Sequence, residues 1–354
     1  MKKILIIAPY QFGELLDCYY WAKYAAESGY NITYIGYRYK DRKAKPMKLD
    51  SVRLISVLRD VNPLLFALRF FYTIVKTILF SRFQNIIVVK FPHCQILPIL
   101  FPKRNIVFDI RTASVSGDEQ LRARQDGEIT KVSSHFKRIS VISQGVADHL
   151  HIPTQKCRIL PLGAMEISGK TKDFNQLRLL YIGTFNNRHL DVLLRGISLF
   201  RQKYNKNFSF DIVGSGTSDI ERSLKQLTDS LSLDDIVTFH GYMNHDQVVP
   251  LFDRCNVGVS FVPITSYYDH QPPTKTFEYL SSGMACLATR TKANELVVNV
   301  NNGVLTTDSE EGVCEGLERL VAKLSFFDSE EIRLHARKYS WKHIVESKFL
   351  SLFS

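Results

Sequence analysis

The chain has 354 residues, 45% of them hydrophobic, and a formal net charge of +11. That is the composition of a globular protein long enough for two domains with full cores. Cys18, Cys94, Cys157, Cys255, Cys286 and Cys314 are scattered without a close pair, which argues against a zinc site or a disulfide framework and suits a reducing, cytoplasmic compartment.

Met1-Lys2-Lys3 precedes an apolar run only from Ile4 to Ala8, too short for a signal peptide and right for a first buried strand. A helix follows to about Ser28 and stops at Gly29. "NITYIGY" reads as the next strand, then a basic loop from Arg38 to Lys48, then strand "VRLISV". The longest apolar region, Leu64 to Phe83, is interrupted by Arg69, Lys76 and Arg82. It is therefore expected to be a core helix or one lying on a membrane surface, not a span. "NIIVVK", "NIVFDI" and "RISVIS" are further strands, with a short helix from Gln144. Strands alternating with helices imply parallel βαβ units, whose ligands sit at the carboxyl ends of strands. Gly13, Glu14, Asp109 and Arg111 fall at such ends.

The polar stretch "SGKTKDFNQ" (168–176) is expected to be a linker, after which the alternation restarts. "LRLLYIG" is a strand, and Leu190, Leu193, Leu194, Ile197 and Phe200 mark one helical face. "FSFDIVG" is a strand, and Ser218 with Glu221 form a capping box before the next helix. "IVTFHGY" and "NVGVSFVP" are strands, with Pro250 inside the helix between them. A short helix around Glu295, a turn at Asn301-Asn302-Gly303 and closing helices complete the chain. The expected organisation is a first domain over 1–168, a second over 175–335, and a last helix, about 340–354, packing back on the first through Trp341, Ile344, Val345 and Leu352.

The most informative stretch is "PPTKTFEYLSSGMACLAT" (272–289). Thr274 can cap a helix, Phe277 and Leu280 share its buried face, and Gly283 can end it in a left-handed turn. Lys275 in the first turn opposes the helix dipole unless an anion is shared with the free N–H groups. Glu278, one turn on, can accept hydrogen bonds from sugar hydroxyls. The plainer reading is an exposed lysine and a solvated glutamate.

This stretch resembles the donor-site segment of retaining GT-B glycosyltransferases, in particular the large family 4 that uses nucleotide sugars. The resemblance implies an α/β fold of two Rossmann-like domains facing a cleft, a first domain for the acceptor and a second for the donor. The family's second donor-site glutamate, which holds the ribose, falls on Glu278. Its first, which touches the donor sugar, falls on His270, a departure that bears on the sugar contact. "LLYIGTFNNRHLDVLL" resembles the family's first loop of the second domain, with Gly183 and Arg188 at matching positions and Thr184 where many members have arginine. Arg188 and Lys275, from two loops, are then the pair that neutralises the leaving diphosphate.

Gly214 and Gly216 in "VGSGTSD" lack the third glycine of the dinucleotide fingerprint, which disfavours an NAD enzyme and leaves a tight βα turn as the alternative. "FHGYMNHDQV" resembles the stretch beside the nucleotide base and offers Gly241 and Tyr242. "VFDIRTASV" resembles the strand end where acceptor and donor sugar meet. There Asp109 and Arg111 either serve catalysis and acceptor binding or only pair with each other. No Asp-x-Asp triplet and no metal-ligand spacing of histidines occurs, so no metal or other cofactor is expected.

The expected activity is transfer of a hexose from a nucleoside-diphosphate sugar to a hydroxyl of a glycan or lipid-linked acceptor, as in polysaccharide biosynthesis. The rivals are a non-catalytic GT-B-like subunit and a sugar-nucleotide epimerase of related fold. Charge adds a location. Residues 1–168 hold 25 Lys+Arg against 13 Asp+Glu, and residues 169–354 hold 21 against 22. No nucleic-acid-reading element accompanies the basic half. An anionic membrane surface at the cytoplasmic face suits it, through segment 64–83 and the loop cations Arg38, Lys40, Arg42, Lys43, Lys45 and Lys48.

Overall fold

The computed structural model describes residues 2–39, 47–59, 62–204, 207–271 and 273–354. Lys40, Arg42, Lys43 and Lys45 of the basic loop, and Pro272, lie outside the described residues. The chain divides into two compact units, Met1–Gly163 with Trp341–Ser354, and Ala164–Ser340.

In the first unit the apolar runs form β1 (Lys3–Ile7), β2 (Asn31–Tyr39), β3 (Val52–Arg59), β4 (Asn85–Val89), β5 (Asn105–Ile110), β6 (Arg138–Val141) and β7 (Cys157–Ile159). They make one parallel sheet in the order β3-β2-β1-β4-β5-β6-β7. The central strands are buried on both faces, as continuous runs such as Ile4–Ile7 require. Helix Glu119–Ser133 buries only Ser133, so it carries no apolar stripe by which periodicity would announce it. The final segment does join this unit. Trp341 stacks on Tyr20 at 5.0 Å and Phe349 on Trp21 at 5.2 Å. It is an irregular succession of short helical turns, not one regular helix.

The second unit is built on β8 (Arg178–Ile182), β9 (Ser209–Val213), β10 (Val237–Gly241), β11 (Val257–Ser260), β12 (Ala285–Thr289) and β13 (Gly303–Thr306). They form a parallel sheet in the order β10-β9-β8-β11-β12-β13. Two parallel α/β sheets in succession are what the alternating pattern predicts.

Three local expectations are corrected. The stretch 168–176 is not an open connector. Lys172 is buried, with Nζ donating to the Phe252 carbonyl at 2.7 Å and to Ser168 Oγ at 3.1 Å, and Phe174 packs against Phe327. Helix Ser218–Ser230 is capped by Thr217, whose hydroxyl accepts from Ile220 N, while Glu221 accepts from Gly216 N; the cap lies one residue earlier than Ser218. Thr274 is the first residue of its helix and not its cap, which is Pro273 without a side-chain bond. Pro250 is accommodated within helix His245–Arg254, whose start carries an Asn244/Gln247 capping box.

Candidate functional site

In the second sheet the order reverses between β8 and β11. Loops leaving the carboxyl ends of these two strands therefore depart to opposite sides and open a crevice, the usual ligand position in such sheets. The candidate residues fall on these loops. Gly183 to Arg188 follow β8, and the segment after β11 leads into helix Thr274–Ser281.

That helix is short and nearly enclosed. Thr276, Phe277, Tyr279, Leu280 and Ser281 are buried, and Gly283 closes it with φ +72°. Thr274, Lys275 and Glu278 alone in the helix remain open, at a spacing that puts them on one face. Lys275 Nζ donates to Glu278 Oε2 at 2.5 Å, with 36% and 12% of the two side chains exposed. Glu278 is thus not the solvated glutamate of the plainer reading. The helix is tied in place from two sides. The Tyr279 hydroxyl accepts the N–H of Ile182 at 2.9 Å. Thr276 Oγ1 lies 2.7 Å from Ser260 Oγ and 3.0 Å from Asn294 Oδ1, in a buried cluster.

Arg188 is carried on a turn in which both neighbours, Asn187 (φ 55°) and His189 (φ 51°), are left-handed. Non-glycine residues in that region cluster where geometry is held for function. Its guanidinium lies over the Tyr268 ring, 4.6 Å from the centroid, an arrangement worth about 0.5–1 kcal/mol at exposed sites. Tyr268 belongs to the segment that leads to Lys275. The contact therefore joins the two cation-bearing loops.

Other candidates serve the loops themselves. Gly214 has φ +142°, and a Cβ there would lie 1.8 Å from the Gly183 carbonyl oxygen. The two loops touch backbone to backbone, so the tight-turn reading of Gly214 is the one realised. A Cβ on Gly216 would meet Phe185 at 3.0 Å. Thr184 Oγ1 accepts from Asn186 N at 3.3 Å and donates to the Ser215 carbonyl at 3.4 Å. Gly241 is left-handed and leads to Tyr242, which is 80% exposed. His270 Nε2 lies 4.0 Å from Asp269 Oδ2, whose carboxylate also receives Lys292 N at 2.8 Å.

In the first unit Asp109 and Arg111 pair with each other in the interior. Asp109 is 2% exposed. Its Oδ2 lies 2.8 Å from Arg111 Nε, and its Oδ1 accepts from Ser140 Oγ at 2.6 Å. Arg111 also bonds Asp17 at 3.0 Å and the Leu160 carbonyl at 2.7 Å. Burial pushes the Asp109 carboxyl upward, against the pull of Arg111. Of the two readings open for Asp109 and Arg111, mutual pairing is the geometry found: both are engaged in a buried ion cluster. Gly13 (φ +96°) turns against Met47, and Glu14 Oε2 accepts from Gln11 N at 2.8 Å.

Residues 176–323 match the family model of glycosyl transferases group 1. The second unit is a glycosyl transferases group 1 domain, and the chain is a glycosyltransferase. No curated protein sequence matches it. Solved structures give the fold over the whole length. Sucrose-phosphate synthase from Thermosynechococcus elongatus superposes with a TM-score of 0.73 at 14% identity, over 100% of this chain and 98% of that one. Anabaena HepE in complex with UDP and glucose gives 0.72 at 12%, over 100% of both chains. The lipopolysaccharide outer core galactosyltransferase WaaB in its apo form gives 0.71 at 13%, over 100% and 99%. At these identities the likeness establishes a GT-B fold.

Two residues of the glycosyltransferase's site escape sequence reasoning, Tyr268 and Tyr279. Each acts on a loop distant in sequence, so no local spacing signals it. Among the described residues no group of three His, Cys, Asp or Glu side chains is gathered that could hold a metal ion.

Proposed function

We propose that this glycosyltransferase uses a nucleoside-diphosphate sugar, transfers its hexose with retention to a hydroxyl of a glycan or lipid-linked acceptor, and needs no metal ion, in the manner of family 4. The observation that carries the donor assignment is the reversal of strand order between β8 and β11, where ligands of such sheets bind. Arg188 and Lys275 approach that point from two loops joined through Tyr268, and Glu278 stands on the same helix face as Lys275. Anabaena HepE, of the same fold, was solved with UDP-glucose, and so was a trehalose-6-phosphate protein from E. coli with UDP-2-fluoro glucose.

In this reading Arg188 leaves Tyr268 and Lys275 leaves Glu278 to take the diphosphate. Glu278, released, accepts from the ribose hydroxyls, with Gly183, Thr184, Gly241, Tyr242, His270 and Thr274 around the donor. The anomeric carbon then exchanges its bond to the diphosphate oxygen for one to the acceptor oxygen. The acceptor proton goes to the departing diphosphate, whose charge the two cations stabilise as it develops. Gly13 and Glu14 are the remaining acceptor-side candidates.

A thermal-shift screen with nucleotides and nucleotide sugars tests the donor class, since a ligand of the native state alone raises its melting temperature. A nucleoside diphosphate and its sugar ester should stabilise the protein, with and without EDTA. Failure of every nucleotide sugar, or stabilisation abolished by EDTA and restored by Mg²⁺, would overturn the proposal.

A further inference from the structure

Helix Pro63–Ser81 has one face in the core and one apolar face open. Phe66, Phe70, Ile74 and Ile78 are buried. Phe66 and Phe70 meet Tyr37 edge-on, and Phe70 meets Phe91. At about 100° per residue, the opposite line runs through Leu65, Leu68, Tyr72 and Leu79, which are 42%, 62%, 65% and 59% exposed. Phe80, at its end, is 80% exposed. By length and composition this is the one helix among the described residues that could cross a membrane. Its four anchored residues argue against a span, since crossing would strip them from the core. Scattered exposed apolar residues are ordinary, but a contiguous row marks an interaction surface.

The charge around this row is predominantly positive. Residues 61–108 contain six Lys and Arg and no Asp or Glu. Arg69 and Lys76 lie along one flank of the row, with Lys76 Nζ 5.9 Å from the Tyr72 ring centroid. A second exposed apolar pair, Ile99 and Leu100, precedes Lys103 and Arg104. Asn105 N donates to the Gln84 carbonyl at 2.8 Å, bringing that segment beside Arg82. A cavity of about 810 Å³ adjoining Phe80 is lined by Lys3, Arg53 and Arg82, with Asp50.

We propose that this face lies flat on an anionic lipid bilayer. Leu65, Leu68, Tyr72, Leu79 and Phe80 enter the boundary between headgroups and acyl chains, and Arg69, Lys76 and Arg82 meet lipid phosphates. A second copy of the chain fits less well. A two-fold contact would oppose identical patches, setting cations on cations with no carboxylate from residues 61–108 on either side. The surface belongs to the first unit and does not depend on the donor reading, so either proposal can fail alone.

The test uses the full chain with vesicles of phosphatidylcholine, alone or mixed with phosphatidylglycerol. Trp21 and Trp341 are buried, so a Tyr72→Trp variant adds an exposed reporter. Co-sedimentation should require the anionic lipid and fall at about 0.5 M salt, and the reporter emission should shift to the blue. A folded Leu68→Glu/Leu79→Glu variant should bind these vesicles about tenfold more weakly while its melting-temperature response to nucleotide sugars is unchanged. Equal recovery with neutral and anionic vesicles would overturn the proposal, as would none with either. So would a wild-type dimer that the double variant dissociates without any vesicle binding.

Discussion

The Tyr279 hydroxyl accepts the backbone N–H of Ile182 at 2.9 Å. One bond thus fixes the helix bearing Lys275 and Glu278 to the end of the strand that leads to Arg188. The ring has room because residue 258, on the strand beside it, is glycine: a Cβ there would fall 2.0 Å from Tyr279 Cγ. This packing, together with the Arg188–Tyr268 contact, sets the mutual position of the two loops.

Tyr279→Phe keeps the ring and removes the acceptor, leaving the partly buried Ile182 N–H without this partner. The expected cost is about 1–3 kcal/mol, read as a lower urea midpoint with unchanged slope, together with weaker nucleotide-sugar binding. An unchanged midpoint would show that the bond positions nothing.

Arg111→Met tests the ion cluster of the first unit. Removing the guanidinium leaves Asp109 and Asp17 as buried carboxylates without their cation. Breaking a buried pair in this way costs about 3–5 kcal/mol, so the variant should unfold at much lower denaturant concentration. Full stability with turnover abolished would instead restore a direct role in the reaction.

The buried thiols give a pH dependence. Burial pushes the Cys255 and Cys286 thiols up to about 12. Between the ordinary cysteine value near 9 and that figure, the unfolded chain loses these protons while the folded one keeps them. Stability contributed below pH 9 is therefore lost as pH rises, by up to about 1.4 kcal/mol per pH unit for each thiol. Cys286→Ala should lower the melting temperature at neutral pH yet decline less steeply between pH 9 and 11. Parallel declines would contradict this, and so would rapid alkylation of the native thiol.

The alternating pattern exposes both sheets because parallel strands covered on each face must be continuous apolar runs, as Ile4–Ile7 and Ala285–Thr289 are. It does not expose helix Glu119–Ser133, which buries almost nothing, or β7 and β13, which have three and four residues. Lys275 and Glu278 are readable together because one helical turn separates them. The Arg188–Tyr268 and Ile182–Tyr279 contacts are not, because tertiary folding alone brings those residues together. Asp109 and Arg111 stand at a strand end like a site residue, and only packing shows that they face inward.

The central claim is that Lys275 and Glu278 bind the donor. Calorimetric titration of the wild type, Lys275→Ala and Glu278→Ala with the nucleotide sugar found in the thermal-shift screen tests it most directly. Neither side chain is fully buried, so both variants should melt close to the wild type. Each should bind more weakly by about 1.5–3 kcal/mol, the worth of a charge-assisted hydrogen bond, or about 10- to 150-fold. Two folded variants that bind the donor as tightly as the wild type would contradict the account.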